Sequence, residues 1–466
     1  MAAEAAAAQR PIEEACYWLA NRPARAASAA LGSESRVDVA IVGGGFTGLW
    51  TAFRLLEREP GLEVALLEQS LCGYGASGRN AGIVGETLDH GHALAVAHFG
   101  RAEASRMARL GRENLEEIER TLARHGIDAG FVRPGQLIMA LQPQHVAELA
   151  AAVELAHQLG STDWRLLSAP EARAEIASPL YLGALLVPGA ALVHPLRLID
   201  GLRRAAVLLG LRLHEQIRVR EIEVRREDVL LRCPGGTVRA DRVVLATNAY
   251  SHLLWPRLRR WFLPLYDYVL VSDPLTPAEL AALGWRHRRG VTDARAFFNY
   301  SRMTDDDRVL WGTSEAVYHG GRVGPACDHS ATHYRGLEAS FGRHFPQLDR
   351  LAFPYAWGGP IASTTRFTPF FGAAAGGRVL YGLGYTGHGI ASSHLAGRIL
   401  AALALDLDSP LLDLAMVRRR PVPFPPEPLR GWAIAAVTHA LRRADAGGRP
   451  GLLLRALERL GIGLSS

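Results

Sequence analysis

The chain contains no lysine; all 52 of its basic residues are arginine. That absence excludes Schiff-base and pyridoxal-phosphate chemistry and a P-loop, each of which needs an ε-amine. The arginines are scattered among 46 acidic residues and form no basic stripe. A pI of about 9.3 therefore does not imply nucleic-acid binding. Cysteine is scarce as well. Cys16, Cys72, Cys233 and Cys327 lie far apart with no CxxC spacing, so neither a disulfide framework nor a metal site is expected, and a reducing cytoplasm fits. No apolar run reaches membrane-spanning length, because Arg, His or Gly interrupts each candidate. The alanine-rich start carries Glu4, Arg10, Glu13 and Glu14, which is not the pattern of a secretory signal.

What is present is a chain of 466 residues, 48% hydrophobic, enough for two or more intertwined domains. VDVAIV (Val37–Val42) ends in GGG and reads as a buried parallel strand. A helix from about Thr47 to Glu59 follows, and then a second buried strand ends at Glu68. This is a βαβ opening. Amphipathic helices are expected around Met107–Leu122 and Val146–Ala156, and a further helix starts at Pro195. Residues 262–315 alternate apolar and polar side chains like antiparallel strands. A strand at Val379–Tyr381, the turn GLGYTGHG and a helix from Ile390 close the pattern.

Gly43, Gly45 and Gly48 form GxGxxG between a strand and a helix. The first glycine permits the turn, the second admits a pyrophosphate, and the third lets helix and strand pack closely. Glu68, ending the next strand, is placed to accept from ribose hydroxyls and disfavours a 2′-phosphate. GYGASGRNAG (Gly73–Gly82) is too small-sided for core packing; it suits a chain running beside a flat ring, with Ser77 reaching a phosphate. GLGYTGHGI (Gly382–Ile390) aims a helix N-terminus at whatever lies above it. A reduced flavin carries negative charge at N1–C2=O, which such main-chain donors stabilise. His388 either faces flavin or substrate or is purely structural.

LCGYGASGRNAG and YGLGYTGHGIASSHLAGRIL resemble the D-amino-acid-oxidase-like family of FAD-dependent oxidoreductases. Tyr17-Trp18, GGGFTGLWTA, YAWGGPIASTTRFTPFFG and FPPEPLR are similar to its γ-glutamylputrescine oxidoreductase and aminophosphonate oxidoreductase branch. The resemblance implies an α/β fold: a glutathione-reductase-like Rossmann FAD domain with an inserted α+β, antiparallel-sheet substrate domain. The expected division is an extension at 1–35, FAD-binding pieces at 36–95, 186–250 and 352–405, substrate pieces at 96–185 and 251–351, and a helical appendage at 406–466. It further implies noncovalent FAD and oxidation of a small amine or amino acid. Hydride passes from the carbon next to nitrogen to flavin N5, and the imine hydrolyses. The FAD contacts carried over are Gly43, Gly45, Phe46, Thr47, Gly48, Glu68, Gln69, Ala76, Ser77, Asn80, Ala81, Thr247, Thr386, Gly387, His388, Gly389 and Ile390. Val219, in an expected strand RVREI, would hold the adenine through its backbone.

Departures narrow the substrate. Sarcosine-oxidase-like relatives carry a lysine just after the GHG turn, where this chain has Ala391. Their flavin-linking cysteine gives way to WGGPIASTTRF, and the linking histidine of dimethylglycine-dehydrogenase-like relatives is absent from GASGRNAG. Aromatic walls would desolvate the amine and hold it neutral. Tyr266, Tyr268, Tyr300 and Trp357 are the candidates for them, Tyr300 also as a catalytic group beside His388. Arg366 or Arg302 could grip an anionic tail, although Arg302, in SRMTDDDR, also fits a strand-to-turn salt bridge. The tail after Asp406, with Arg418, Arg419 and Arg420, reads as an appendage packed on the core, or else as a lid or a weak membrane-surface patch. Dioxygen or another acceptor would take the electrons. A dehydrogenase serving a partner protein or quinone and a non-catalytic flavin protein are the competing readings.

Overall fold

A computed structural model describes residues 10–25, 27–88, 91–445 and 451–459. Along the chain, β1 (Glu34–Val42) leads through the glycine turn into α1 (Phe46–Arg58) and β2 (Val64–Leu67). Helices α2 (Arg101–Arg124) and α3 (Pro195–Leu208) follow, and then β3 (Gly236–Leu245). The chain next builds β4 (Leu263–Val271), β5 (Asn299–Met303), β6 (Val309–Val317) and β7 (Tyr355–Ser363). It returns as β8 (Val379–Leu383) and α4 (Gly389–Ala404), and a late helix, α5, spans Leu429–Asp445.

The first sheet has the order Phe370–Ala374, β8, β3, β1, β2, Arg212–His214, and every pair from β8 onward is parallel. Its central strands are buried on both faces, which is why they read as unbroken apolar runs. On one face α1, α3 and α4 pack around Trp50, Leu55, Ile199, Leu395 and Ile399. On the other, the hairpin of Val229–Cys233 and β3 joins Phe262 and Phe370 in a separate core.

The second sheet runs β7, β4, β6, β5, Gly290–Asp293, Gln136–Ala140, Gly183–Val187, Arg165–Ser168. It is antiparallel except where Gly290–Asp293 meets Gln136–Ala140 in parallel. Residues Ala331–His344 cover one face as a helix, enclosing Tyr266, Tyr268, Trp311 and Phe341.

Three expectations need correction. β7 lies inside the span 352–405 read as FAD-binding, yet it pairs with β4 along its whole length in the second sheet. α2 lies inside the span 96–185 read as substrate domain, yet Met107, Leu115, Ile118 and Leu122 join the core that holds α1 and α4. Apolar periodicity shows that a helix buries a face, not which sheet receives it. Val219 lies in irregular chain just before the Glu221–Val224 strand rather than within a strand. Among the described residues no helix is long and apolar enough to cross a membrane.

Candidate active site

A cavity of about 1000 Å³ lies between the two sheets. Small-ligand pockets run to roughly 300–1,000 Å³, so this one has room at the upper limit of the class. One end is built by the βαβ opening. Gly43 sits at φ +111°, and a Cβ there would lie 2.7 Å from the Ala246 carbonyl oxygen. A Cβ on Gly48 would lie 1.9 Å from Gly43 O, so only glycine lets α1 start this close to β1. Gly48 accordingly packs outside the lining, while Gly43, Gly45, Phe46 and Thr47 line the cavity at the α1 N-terminus.

The Glu68 carboxylate enters from the end of β2. It accepts from Gly44 N at 2.7 Å and Ser70 N at 2.9 Å, and burial raises its carboxyl above the ordinary value. Gln69 and Val219 line the same end. The Gly73–Gly82 loop supplies Ala76, Ser77, Asn80 and Ala81. Ser77 Oγ accepts from Phe46 N at 2.9 Å, placing its hydroxyl at the helix terminus where a phosphate is expected. Asn80 staples the loop, donating to Ala76 O and Ser77 O and accepting from Gly82 N, each at 2.9 Å. The Trp18 indole donates to Asn80 O at 2.9 Å, which gives the Tyr17-Trp18 segment a bracing role.

The far turn completes this wall. Thr386, Gly387, His388, Gly389 and Ile390 line the cavity at the α4 N-terminus, with Thr247 at the end of β3. Two helix N-termini thus open into one space. Thr47 Oγ1 and Tyr385 OH, 2.8 Å apart, tie them together, and Thr386 N donates to Ala362 O of β7 at 2.9 Å. Burial lowers His388 to about 4; it is neutral at physiological pH and adds no positive charge.

A glycine cradle, an acid at the second strand end and two open helix N-termini fit a dinucleotide, and the turn at 386–390 fits the negative edge of a reduced flavin. All of the carried-over FAD positions except Gly48 line this one cavity.

The substrate-side expectations divide. Tyr300 lines the cavity, its ring lying against Gly312, where a Cβ would come within 2.2 Å of it. Burial, with the charge of Asp267, raises its phenol well above 10. Tyr266 and Tyr268 do not line it. Strand side chains alternate, and in β4 Leu263, Leu265, Asp267 and Val269 take the cavity face. Tyr266 and Tyr268 instead point under the Ala331–His344 helix: Tyr268 donates to Cys327 O at 3.0 Å and Tyr266 to Gly324 O at 3.3 Å. Trp357 is fully buried and donates to Arg79 O at 2.9 Å. Arg366 donates to the carbonyls of Arg419, Pro369 and Met416 at 2.7, 2.9 and 2.8 Å. Burial, then the nearby Arg419, lowers it to about 10; it anchors the tail and does not line the cavity. Among the described residues Arg302 makes no strand-to-turn salt bridge either. It donates to Val193 O at 2.6 Å beneath Trp18.

The sequence reading missed two contributors. Asp267 is one, and the acid at the centre of LPLYDYVLV was its signal, since a charge in a buried strand needs a reason. The other is α5, whose Ala433, Ile434, Val437, Thr438 and Leu441 line the cavity with Phe297, Phe298, Ser314 and Ala316. Their spacing marks one helix face.

The family model described as FAD dependent oxidoreductase (DAO) matches residues 38–403. The chain belongs to the DAO family. FAD is therefore its cofactor, and it is an amine or amino-acid oxidoreductase like the members it resembles. This DAO-family chain is 32% identical to the gamma-glutamylputrescine oxidoreductase of Escherichia coli over 83% of its length and 88% of the relative's. It is 28% identical to the probable oxidoreductase OrdL of Rhizobium meliloti, covering 90% and 94%. The crystal structure of glycine oxidase from Geobacillus kaustophilus superimposes with a TM-score of 0.67 at 23% identity, covering 83% of this chain and 99% of that one. L-proline dehydrogenase from P. horikoshii shares the fold with the same TM-score at 18% identity, covering 83% and 98%. The family match ends before α5 begins.

Proposed function

We propose that the protein oxidises a small amine at the carbon bonded to nitrogen, giving an imine that hydrolyses, with FAD held noncovalently. The observation that carries this reading is the continuity of the cavity: the dinucleotide cradle and a chamber walled by Leu265, Val269, Phe297, Phe298 and Tyr300 form one space. Bound there, FAD supplies a two-electron acceptor for the substrate's C–H bond. The residues at Gly43–Thr47, Glu68, Ser77 and Val219 would hold its nucleotide part, and Thr386–Ile390 its ring. Among the described residues no cysteine lines the cavity, which favours noncovalent attachment. The apolar chamber excludes water and lowers the pKa of an entering amine, drawing it toward the neutral form from which a hydride can leave. Neutral His388 and the raised Tyr300 phenol add no charge there, and the acid on the same wall, Asp267, is a group to which the amine's proton can pass.

For a γ-glutamylputrescine-like or aminophosphonate-like substrate, Arg430 lines the cavity from the first turn of α5; its Nε donates to Pro425 O at 3.0 Å, and the rest of its guanidinium is the cation offered to an anionic tail. The test is anaerobic bleaching of the bound flavin by γ-glutamylputrescine, putrescine, aminoethylphosphonate, sarcosine and D-alanine. Bleaching by an amine with an anionic tail and not by sarcosine is expected; no bleaching by any member overturns the reading.

A further inference from the structure

Asp267 is a lone acid in an otherwise uncharged strand, and it stands on the cavity face between Leu265 and Val269. Its partner across the ladder to β7 is Gly359, which presents no side chain. Toward β6 the register is broken: Tyr266 pairs with Val317 but Tyr268 with Thr313. Bulges of this kind re-aim side chains beside active sites. Here Ser314 and Ala316 join the cavity lining, while Glu315 between them pairs with Arg442 of α5 at 2.5 Å.

Among the described residues no cation pairs with the Asp267 carboxylate, and its Oδ1 is buried without a hydrogen-bond partner. Arg79, just past Gly359, pairs through Nη1 with Asp328 at 2.8 Å and donates to the carbonyls of Tyr74 and Gly358, while its Nη2 is buried without a partner. Burial alone pushes the Asp267 carboxyl up to about 7. An acid kept in a ligand cavity with no internal counter-charge is costly, unless a ligand supplies the cation.

We propose that Asp267 receives the ammonium group of the substrate, and that the substrate is accordingly an amine whose reacting carbon bears no carboxylate. This rests on the amine-oxidation reading above. A carboxylate on that carbon would meet Asp267 with like charge. In the bound pair one N–H bond breaks and its proton passes to Asp267 Oδ1. The electron pair stays on nitrogen, and the amine becomes neutral with no change of oxidation state.

The test uses ligands with no hydrogen on the carbon next to nitrogen, so that they bind the flavin-loaded enzyme without reacting. Dissociation constants are measured by calorimetry and by perturbation of the flavin spectrum. The probes are tert-butylamine, its neutral analogue tert-butanol, and 2-methylalanine, which adds a carboxylate to the same carbon. In the wild-type enzyme tert-butylamine should bind about tenfold or more tightly than either of the others. Asp267→Asn should weaken tert-butylamine about tenfold and leave tert-butanol unchanged. Binding of 2-methylalanine as tightly as tert-butylamine overturns the proposal, as does a loss of less than about threefold in Asp267→Asn. Wild-type flavin bleached by amines, with Asp267→Asn binding tert-butylamine normally, would remove this assignment and leave the proposed function standing. Failure of every amine to bleach the flavin would remove the function itself.

Discussion

The Asp445 carboxylate, at the last residue of α5, accepts from Phe297 N at 2.9 Å, and its other oxygen from Ala296 N at 2.8 Å. One side chain thereby fastens the late helix to the loop that carries two aromatic lining residues. Arg442 with Glu315 adds a tie along the same helix, and Tyr318 with Glu427 adds one just before it.

Asp445→Ala should loosen α5 without emptying the cofactor site. Two hydrogen bonds to a charged acceptor contribute roughly 1.5–3 kcal/mol each. Trypsin cleavage at Arg442 and Arg443 should rise at least tenfold, and KM should rise while flavin content holds. Unchanged cleavage would show that the helix stays closed without this contact.

Gly48→Ala should yield protein without flavin, or none that folds. The new methyl would sit 1.9 Å from Gly43 O, and that carbonyl belongs to the cradle itself. Overpacking of this kind costs about 1–3 kcal/mol. The measurement is flavin absorbance per protein, which should fall well below half of wild type.

Asp267 should make the enzyme less stable as pH rises. Its carboxyl lies at about 7 in the folded chain against an ordinary 3.8, so the native state keeps a proton that the unfolded chain has lost. Stability therefore falls between about pH 4 and 7 and levels off above. Removing the charge in Asp267→Asn should stabilise the fold at pH 8 by on the order of 4 kcal/mol at most, read as a raised melting temperature, and by far less at pH 4.5. Tyr300 and Tyr268, whose phenols feel the Asp267 charge, stay protonated throughout this window. A pH-independent difference would refute the argument.

Arg366→Met should destabilise the protein while leaving ligand affinity intact in whatever folds. Three carbonyls lose their donor, at about 1–3 kcal/mol for each group left unsatisfied. A melting temperature lowered by several degrees, with an unaltered dissociation constant for amine probes, is the expected pair of results.

The backbone of the proposed cofactor half was legible in the sequence because its signals are local. GxGxxG, the acid after the second strand and the GHG turn each fix their own backbone, and the parallel sheet brings them to one edge. The substrate half depends on phase and partnership. In LPLYDYVLV both alternating sets contain large side chains, so the pattern alone does not say whether the tyrosines or Leu265, Asp267 and Val269 face the ligand; the helix at Ala331–His344 decides it by covering the tyrosine side. Likewise YAWGGPIAS reads equally well as a strand of either sheet, and its pairing with β4 settles the matter. Arg366 looked available because its loop is close to the flavin turn, but the carbonyls that consume it come from chain 50 and 53 residues away.

The α5 wall also has an evolutionary consequence. Its side chains come from outside the stretch shared with the family at large, 38–403, whereas the residues proposed to hold FAD come from inside it. A lineage carrying this fold can exchange or lengthen its tail and so change which molecules are admitted, with the electron-accepting machinery inherited intact.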